Sequence, residues 1–293
     1  MRGIIQKAIS GFFYVKSGDT VYECKARGSF RANAMTPLAG DTVEFSLQGE
    51  KGVVEEILDR KNFLVRPPVA NVTRMFIVSS MQMPSPNTLL IDRQLSICEK
   101  KGILPVIVFN KTDMKTAEYY EQISKKSGFV TVVTSCKDNV GINELKALIL
   151  EGINLFTGNT GVGKSSLLNQ LFPELELKTG EVSEKLGRGR HTTRTAELFE
   201  VEKDVYIADT AGFSTFDIES YETVLKDELP YTFKEFCDYI GECKFTSCSH
   251  TTEKGCAVIA AVKEGKIHPE RHKNYCTLYD EIKDLREWNI KSK

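Results

Sequence analysis

The stretch Gly158-Asn159-Thr160-Gly161-Val162-Gly163-Lys164-Ser165 constrains this chain more than any other, because it fits the pattern G-x-x-x-x-G-K-[ST]. It follows an apolar run, Ile153 to Phe156, that reads as a buried strand. It precedes Ser166-Leu167-Leu168-Asn169, which opens a helix. A loop so placed turns successive backbone N–H groups and a helix N-terminus toward a phosphate. Lys164 then neutralises charge on the terminal phosphates, and the Ser165 hydroxyl reaches Mg²⁺. Downstream, Asp209-Thr210-Ala211-Gly212 closes a second strand, Val205 to Ala208. Asp209 supplies a carboxylate that holds Mg²⁺ through water, and Gly212 brings an N–H close to a γ-phosphate.

Two further strand ends select the base. Asn110-Lys111-Thr112-Asp113 follows the strand Pro105 to Phe109 and matches N-K-x-D. A carboxylate at Asp113 accepts from the ring N1–H and the exocyclic amine of guanine, whereas adenine offers an acceptor at the first of these places and leaves the carboxylate facing a lone pair. Asn110 is expected to brace a neighbouring loop, and the Lys111 stem to lie along the base. One β-α unit later, Thr134-Ser135-Cys136-Lys137 has the form of a base-backing loop, with Cys136 in place of the usual alanine. The nucleotide expected is therefore GTP or GDP. In the Ras-like arrangement the phosphate loop comes first; here the base loops precede it. Such circular permutation moves a chain break without altering the packed sheet.

At 293 residues the chain exceeds what one core usually holds. From residue 3 to about 66 the pattern is short strands, with Val43, Phe45 and Leu47 alternating and turns at Ala39-Gly40-Asp41 and Gly49-Glu50-Lys51-Gly52. Five such segments suggest a small closed barrel of the OB type. Pro67-Pro68 marks a boundary, after which strands alternate with amphipathic helices, the signature of a mostly parallel sheet covered on both faces. Beyond about residue 217 the chain is helical, ending in a stripe of Tyr275, Leu278, Tyr279, Ile282 and Leu285. The expected architecture is a multi-domain α/β protein: an OB-type barrel (1–67), a circularly permuted P-loop GTPase domain (68–217) and a C-terminal helical zinc-binding domain (218–293).

The last assignment rests on Cys243-x₄-Cys248-x-His250-x₅-Cys256, three thiols and an imidazole in the proportions of a closed structural zinc site. His268 and His272 lie too far along to be needed, and Cys24, Cys98, Cys136, Cys237 and Cys276 read as small hydrophobes. No apolar run reaches the roughly eighteen residues of a membrane span. Met1 to Ser10 has no secretory pattern, so a cytoplasmic location without disulfides is expected. A net charge of -1 does not announce a nucleic-acid binder. Phe12, Phe13 and Tyr14, near Lys7, Lys16, Lys25, Arg27 and Arg31, are equally readable as RNA contacts or as barrel filling and ordinary surface.

Permuted motifs, a preceding barrel and a following Cys/His cluster together resemble the ribosome small-subunit-dependent GTPase A (RsgA) family over essentially the full chain. The resemblance implies a late assembly factor that binds the small ribosomal subunit and its rRNA, hydrolyses GTP when bound and then leaves; a monomer is expected. It tips the barrel toward RNA binding. It also makes Gly187-Arg188-Gly189-Arg190-His191-Thr192-Thr193 a first switch, with Arg194 where the family often carries a further threonine. Thr192 or Thr193, by preference Thr193, closes over Mg²⁺ and the γ-phosphate. Phe213 stands where Ras-like proteins place the glutamine that orients water, so intrinsic hydrolysis should be very slow. His191 is the candidate within the chain for that task. Two rival readings are a nucleotide-gated RNA-binding module in which hydrolysis is incidental, and a regulatory GTPase with a protein partner.

Overall fold

The computed structural model describes residues 1–27, 36–49, 51–83, 85–177, 196–209 and 224–285. Five strands form the N-terminal barrel: β1 (Arg2–Ile9), β2 (Phe12–Ser17), β3 (Thr20–Ala26), β4 (Thr42–Gln48) and β5 (Lys51–Ile57). Pairing runs β1-β2-β3-β5-β4 and closes through β4 onto β1, with only β3 and β5 parallel. Alternation drives Ile5, Phe13, Val15, Cys24, Val43, Phe45 and Val54 inward as a single cluster. Gly52 is required where β5 crosses β3, because a Cβ there would collide with the Cys24 Sγ.

Three of the barrel residues singled out as RNA candidates are committed elsewhere. Phe13 is buried in the barrel core. Lys7 and Lys16 pair with Glu197 and Glu200, side chains of a strand in the next domain. Phe12 and Tyr14 remain half-buried, and the Lys25 ammonium lies 5.1 Å from the Phe12 ring centroid. Arg31 lies outside the described residues.

A two-stranded ribbon, β6 (Phe63–Leu64) and β7 (Val69–Ala70), joins barrel to sheet. The ribbon is tied back by the Ala70 N–H to the Ala39 carbonyl, and beside it the buried Asp41 accepts from Arg60 Nε and Nη2, each at 2.7 Å, and from the Leu38 N–H. The central sheet has the order β10-β9-β8-β11-β13-β12, from β8 (Val72–Ser80), β9 (Leu104–Asn110), β10 (Val130–Thr134), β11 (Gly152–Thr157), β12 (Glu197–Glu202) and β13 (Val205–Asp209). All pairs are parallel except β12 with β13. Helices α1 (Thr88–Lys101), α2 (Glu118–Lys126), α3 (Ile142–Ala147) and α4 (Lys164–Leu171) follow β8 to β11 in turn. Successive β8 side chains go to opposite faces: Met75 and Ile77 join one core cluster, Phe76 and Val78 the other. Phe76 stacks on Phe156 at 4.4 Å between ring centroids. Sequence reading separated barrel from sheet; in the structure β1 pairs with β12, so the two share one eleven-stranded sheet.

The C-terminal region comprises α5 (Leu229–Thr232), α6 (Ala257–Lys263) and α7 (Pro269–Ile282), and packs on α1 through α5 and α7. Tyr275 and Leu278 are buried and Tyr279 and Ile282 partly so, as the stripe predicts, while Leu285 lies past the helix and is exposed. The seam holds a buried ion network. Arg271 reaches Asp92 on α1 at 2.5 Å and Glu235 at 2.6 Å, and Asn274 donates to the second Asp92 oxygen at 2.7 Å. The Arg271 guanidinium also lies 4.3 Å from the Phe233 ring. Among the described residues no helix is long and apolar enough to cross a membrane.

Candidate nucleotide site and metal centre

The phosphate loop and the two base loops lie where the sheet places them, at the carboxyl ends of β11, β9 and β10. The phosphate loop leaves β11 at Gly158 and enters α4 at Lys164. Two glycines are dictated by close approach as well as by positive φ. A Cβ on Gly158 (φ 146°) would strike the Val78 carbonyl, and one on Gly163 (φ 96°) would strike Asn110 Nδ2. Within the loop the Lys164 ammonium donates to the carbonyls of Gly158 at 2.6 Å and Asn159 at 3.1 Å. Burial pushes its pKa down from 10.5 to about 8. Thr160 and Ser166 are exposed, Val162 is buried, and Ser165 is half-buried on the first turn of α4.

The base loops are tied to this loop by side chains far away in sequence. Asn110, fully buried, donates from Nδ2 to the Val162 carbonyl at 2.9 Å, and its Oδ1 accepts from the Thr134 hydroxyl at 3.0 Å. Lys111, with φ 63°, donates from Nζ to the Gly161 carbonyl at 2.7 Å. Thr112 hydrogen-bonds the Thr134 carbonyl through both its N–H and its hydroxyl. The Ser135 hydroxyl donates to Asp113 Oδ1 at 3.1 Å and accepts the Asp138 N–H at 3.1 Å. Asp113 and Lys137 are exposed at the rim and Cys136 is half-buried between them, its thiol pushed up by burial and then by the Asp113 charge. Three strand ends thus converge: the residues expected to grip phosphate and those expected to read guanine form one site despite their reversed order. Thr134, which sequence reading treated only as part of a motif, clamps both Asn110 and Thr112.

Of the remaining predicted residues, His191, Thr193 and Gly212 lie outside the described residues, and for Asp209 the structure gives the backbone at the end of β13. There the register places Ala208 opposite Leu155, so Asp209 leaves the sheet beside the phosphate loop.

The Cys/His cluster is assembled as its spacing suggested. The ligand atoms of Cys243, Cys248, His250 and Cys256 all lie within 4.8 Å of one another. Cys243 and Cys256 sulfurs are 3.9 Å apart, and His250 Nδ1 is 3.5 Å from each. A tetrahedral ion with metal–sulfur bonds of about 2.3 Å and a metal–nitrogen bond of about 2.0 Å needs edges of roughly 3.8 and 3.5 Å, so these side chains fit one. The backbone N–H groups of Ala257 and Ile259 point at the Cys243 and Cys256 sulfurs, at 3.3 and 3.5 Å, which suits thiolates. Burial pushes the Cys248 thiol up to about 12 and the Cys256 thiol up as well. His272, dismissed from its spacing, contributes from outside the ligand set: its Nε2 is 2.8 Å from the His250 carbonyl and holds the turn in which His250 takes φ 59°.

Comparison with known proteins agrees with this geometry. Residues 57–219 match the RsgA GTPase family and residues 2–54 the RsgA N-terminal domain. The small ribosomal subunit biogenesis GTPase RsgA of Geobacillus sp. (strain WCH70) is 44% identical over 291 residues, spanning 97% of this chain and 98% of that one. Its namesake from Caldanaerobacter subterraneus is 42% identical across 100% of this chain and 99% of its own. The crystal structure of YjeQ from Thermotoga maritima superposes with a TM-score of 0.82 at 34% identity, covering 97% and 99% of the two chains. YloQ, described as a circularly permuted GTPase, gives 0.78 at 34% identity over 97% and 96%. With its permuted loops converging on one site and its relatives matched from end to end, the chain belongs to the RsgA GTPase family.

Proposed function

We propose that this protein hydrolyses GTP during late maturation of the small ribosomal subunit, binding the subunit and its rRNA in the GTP state and leaving after subunit-stimulated hydrolysis. The observation that carries this reading is the convergence of Asn110, Lys111 and Lys164 on one phosphate loop, with Asp113 at its rim. Asp113 reads the guanine edge, Ser135 orients that carboxylate, and Lys137 and Cys136 back the base. Lys164 exchanges its two loop carbonyls for phosphate oxygens. Ser165, Thr193 and, through water, Asp209 are the residues assigned to Mg²⁺, which neutralises charge between the outer phosphates when bound. His191 is assigned to orient the attacking water, since Phe213 has no polar atom for it; His191→Ala should abolish stimulated turnover while sparing GTP binding.

Zn²⁺, one per chain, is the metal assigned to Cys243, Cys248, His250 and Cys256. Four protein ligands leave no open position, so its part is to hold the C-terminal fold. Phe12 and Tyr14 with Lys25 and Arg27 are the barrel groups assigned to rRNA. The protein acts as a cytoplasmic monomer. The deciding measurement is GTP turnover with and without purified small subunits. Large stimulation supports the reading; unchanged turnover in the presence of bound subunits leaves a nucleotide-gated RNA-binding module.

A further inference from the structure

Between the ligands Cys248 and Cys256 the chain makes a tight turn around a carboxylate that belongs to neither ligand set nor nucleotide motif. Glu253 Oε1 accepts from the Ser249 N–H at 2.6 Å and from the Ser249 hydroxyl at 2.5 Å. Its Oε2 accepts from the N–H groups of Thr251 at 3.0 Å and Thr252 at 3.1 Å. Three backbone N–H groups and one hydroxyl thus converge on a single side chain, a concavity that suits an anion. Both carboxylate oxygens are taken up by these donors, so Glu253 shapes the turn without being a ligand. Ser249 stands between the ligands Cys248 and His250, and whatever fixes it fixes the spacing of both.

The carbonyls of the same turn are held from the opposite side by α7. The Tyr275 hydroxyl donates to the Ser249 carbonyl at 2.7 Å, and His272 Nε2 donates to the His250 carbonyl at 2.8 Å. One residue earlier in each case, Arg271 and Asn274 bond Asp92 on α1, at 2.5 and 2.7 Å. The helix is therefore fastened to α1 along one side and grips the turn along the other. The grip answers a local demand, because His250 has φ 59°, a left-handed conformation that is uncommon outside glycine.

Groups that orient a metal ligand raise affinity without touching the ion, since the ordering of the ligands is already done when the ion binds. We infer that Glu253 is the positioning residue of this metal centre: it gathers the N–H groups of residues 249, 251 and 252, while Tyr275 and His272 secure the carbonyls, so that Cys248 and His250 are presented at binding distance. The inference rests on the reading of the four ligands as a zinc site, and adds the group on which retention of the metal depends. Glutamine cannot take its place. An amide has one accepting oxygen and brings two N–H donors, so in either orientation it sets an N–H against a backbone N–H of the turn.

The test uses the full chain carrying zinc, titrated with a chromophoric chelator to give the zinc Kd, and mixed with a large excess of it to give the release rate. Glu253→Gln should weaken zinc at least about tenfold and speed its release. Tyr275→Phe removes one hydroxyl, keeps the ring, and should weaken zinc about threefold; it serves if Glu253→Gln does not fold. Leu278→Ala is the control for a merely structural role. Its side chain is buried on α7 and makes none of these hydrogen bonds, so the melting temperature should fall while zinc affinity stays within about twofold of the parent. Cobalt-loaded Glu253→Gln should keep the absorption of a tetrahedral thiolate site, because all four ligands remain. GDP affinity, equal in every chain, reports folding. Unchanged zinc affinity in both Glu253→Gln and Tyr275→Phe, an equal weakening in Leu278→Ala, or loss of the cobalt spectrum overturns the positioning role. A parent chain that holds no zinc overturns the zinc reading itself.

Discussion

Lys164→Met isolates the cost of holding a desolvated cation ready for phosphate. Burial moves the Lys164 pKa from 10.5 to about 8 in the folded chain. A displacement of that size corresponds to about 3 kcal/mol against the fold at neutral pH, because each unit is worth about 1.4 kcal/mol. The side chain is only half-buried, so solvent screening brings the figure to about 1–2 kcal/mol. Methionine keeps the unbranched stem and discards the charge. Without nucleotide at pH 7 the variant should therefore be more stable than the parent, with a melting temperature higher by roughly 3–6 °C. The folded state binds fewer protons than the unfolded one between the two pKa values, so the parent's handicap is full below about pH 8 and fades as pH rises toward 10.5. The two melting curves should converge there. With GDP and Mg²⁺ the order should reverse, because only the parent gains from binding, by about 3 kcal/mol at a hundredfold excess over Kd. Thermal melts from pH 6 to 10, with and without GDP, measure all of this. A variant less stable than the parent at pH 7 without nucleotide, or a difference that does not change with pH, would refute the reasoning.

Asn110→Ala removes the link between the Val162 carbonyl and the Thr134 hydroxyl, both buried, and should cost about 2–3 kcal/mol in urea unfolding and at least tenfold in GDP affinity by titration. Asp113→Asn should weaken GTP on the order of a hundredfold or more in competition binding without improving ATP; unchanged GTP affinity would remove Asp113 from the base site. Purified protein should carry one zinc per chain by atomic absorption. Cys256→Ala should lose that metal and, because its Sγ also caps α6, lower the melting temperature further than chelation of the parent does.

The local part of the site was legible because its chemistry is written in short motifs. Gly158 to Ser165 and Asn110 to Asp113 each specify a loop with few alternatives, and strand flanks gave their setting. The cross-links were not legible, because nothing in the neighbourhood of Thr134 says that it will meet Asn110. Lys7 and Lys16 illustrate the same limit: their residue types left RNA contact and ordinary surface equally open, and only the pairing of β1 with β12 brings Glu197 and Glu200 against them. Phe13 and Phe12 are neighbours with opposite fates, which alternation along β2 fixes once the barrel's inside is known. His272 was set aside by its distance in sequence, whereas α7 folds back to bring it under the His250 turn. Asp92 and Arg271 gave no signal at all, since a buried pair 179 positions apart leaves no periodic trace.

The pairing of Lys7 with Glu197, together with the Lys7–Glu197 and Lys16–Glu200 ion pairs, ties the barrel directly to strand β12 of the sheet. Adjacent strands are rotated by about 20–25°, and the barrel inherits its heading from that rotation. Through Glu197–Glu202 the barrel is joined to β13, the strand that ends at Asp209. Docking of the barrel on a large, rigid surface should thus bear on β12 and, through its pairing with β13, on the strand that ends at Asp209.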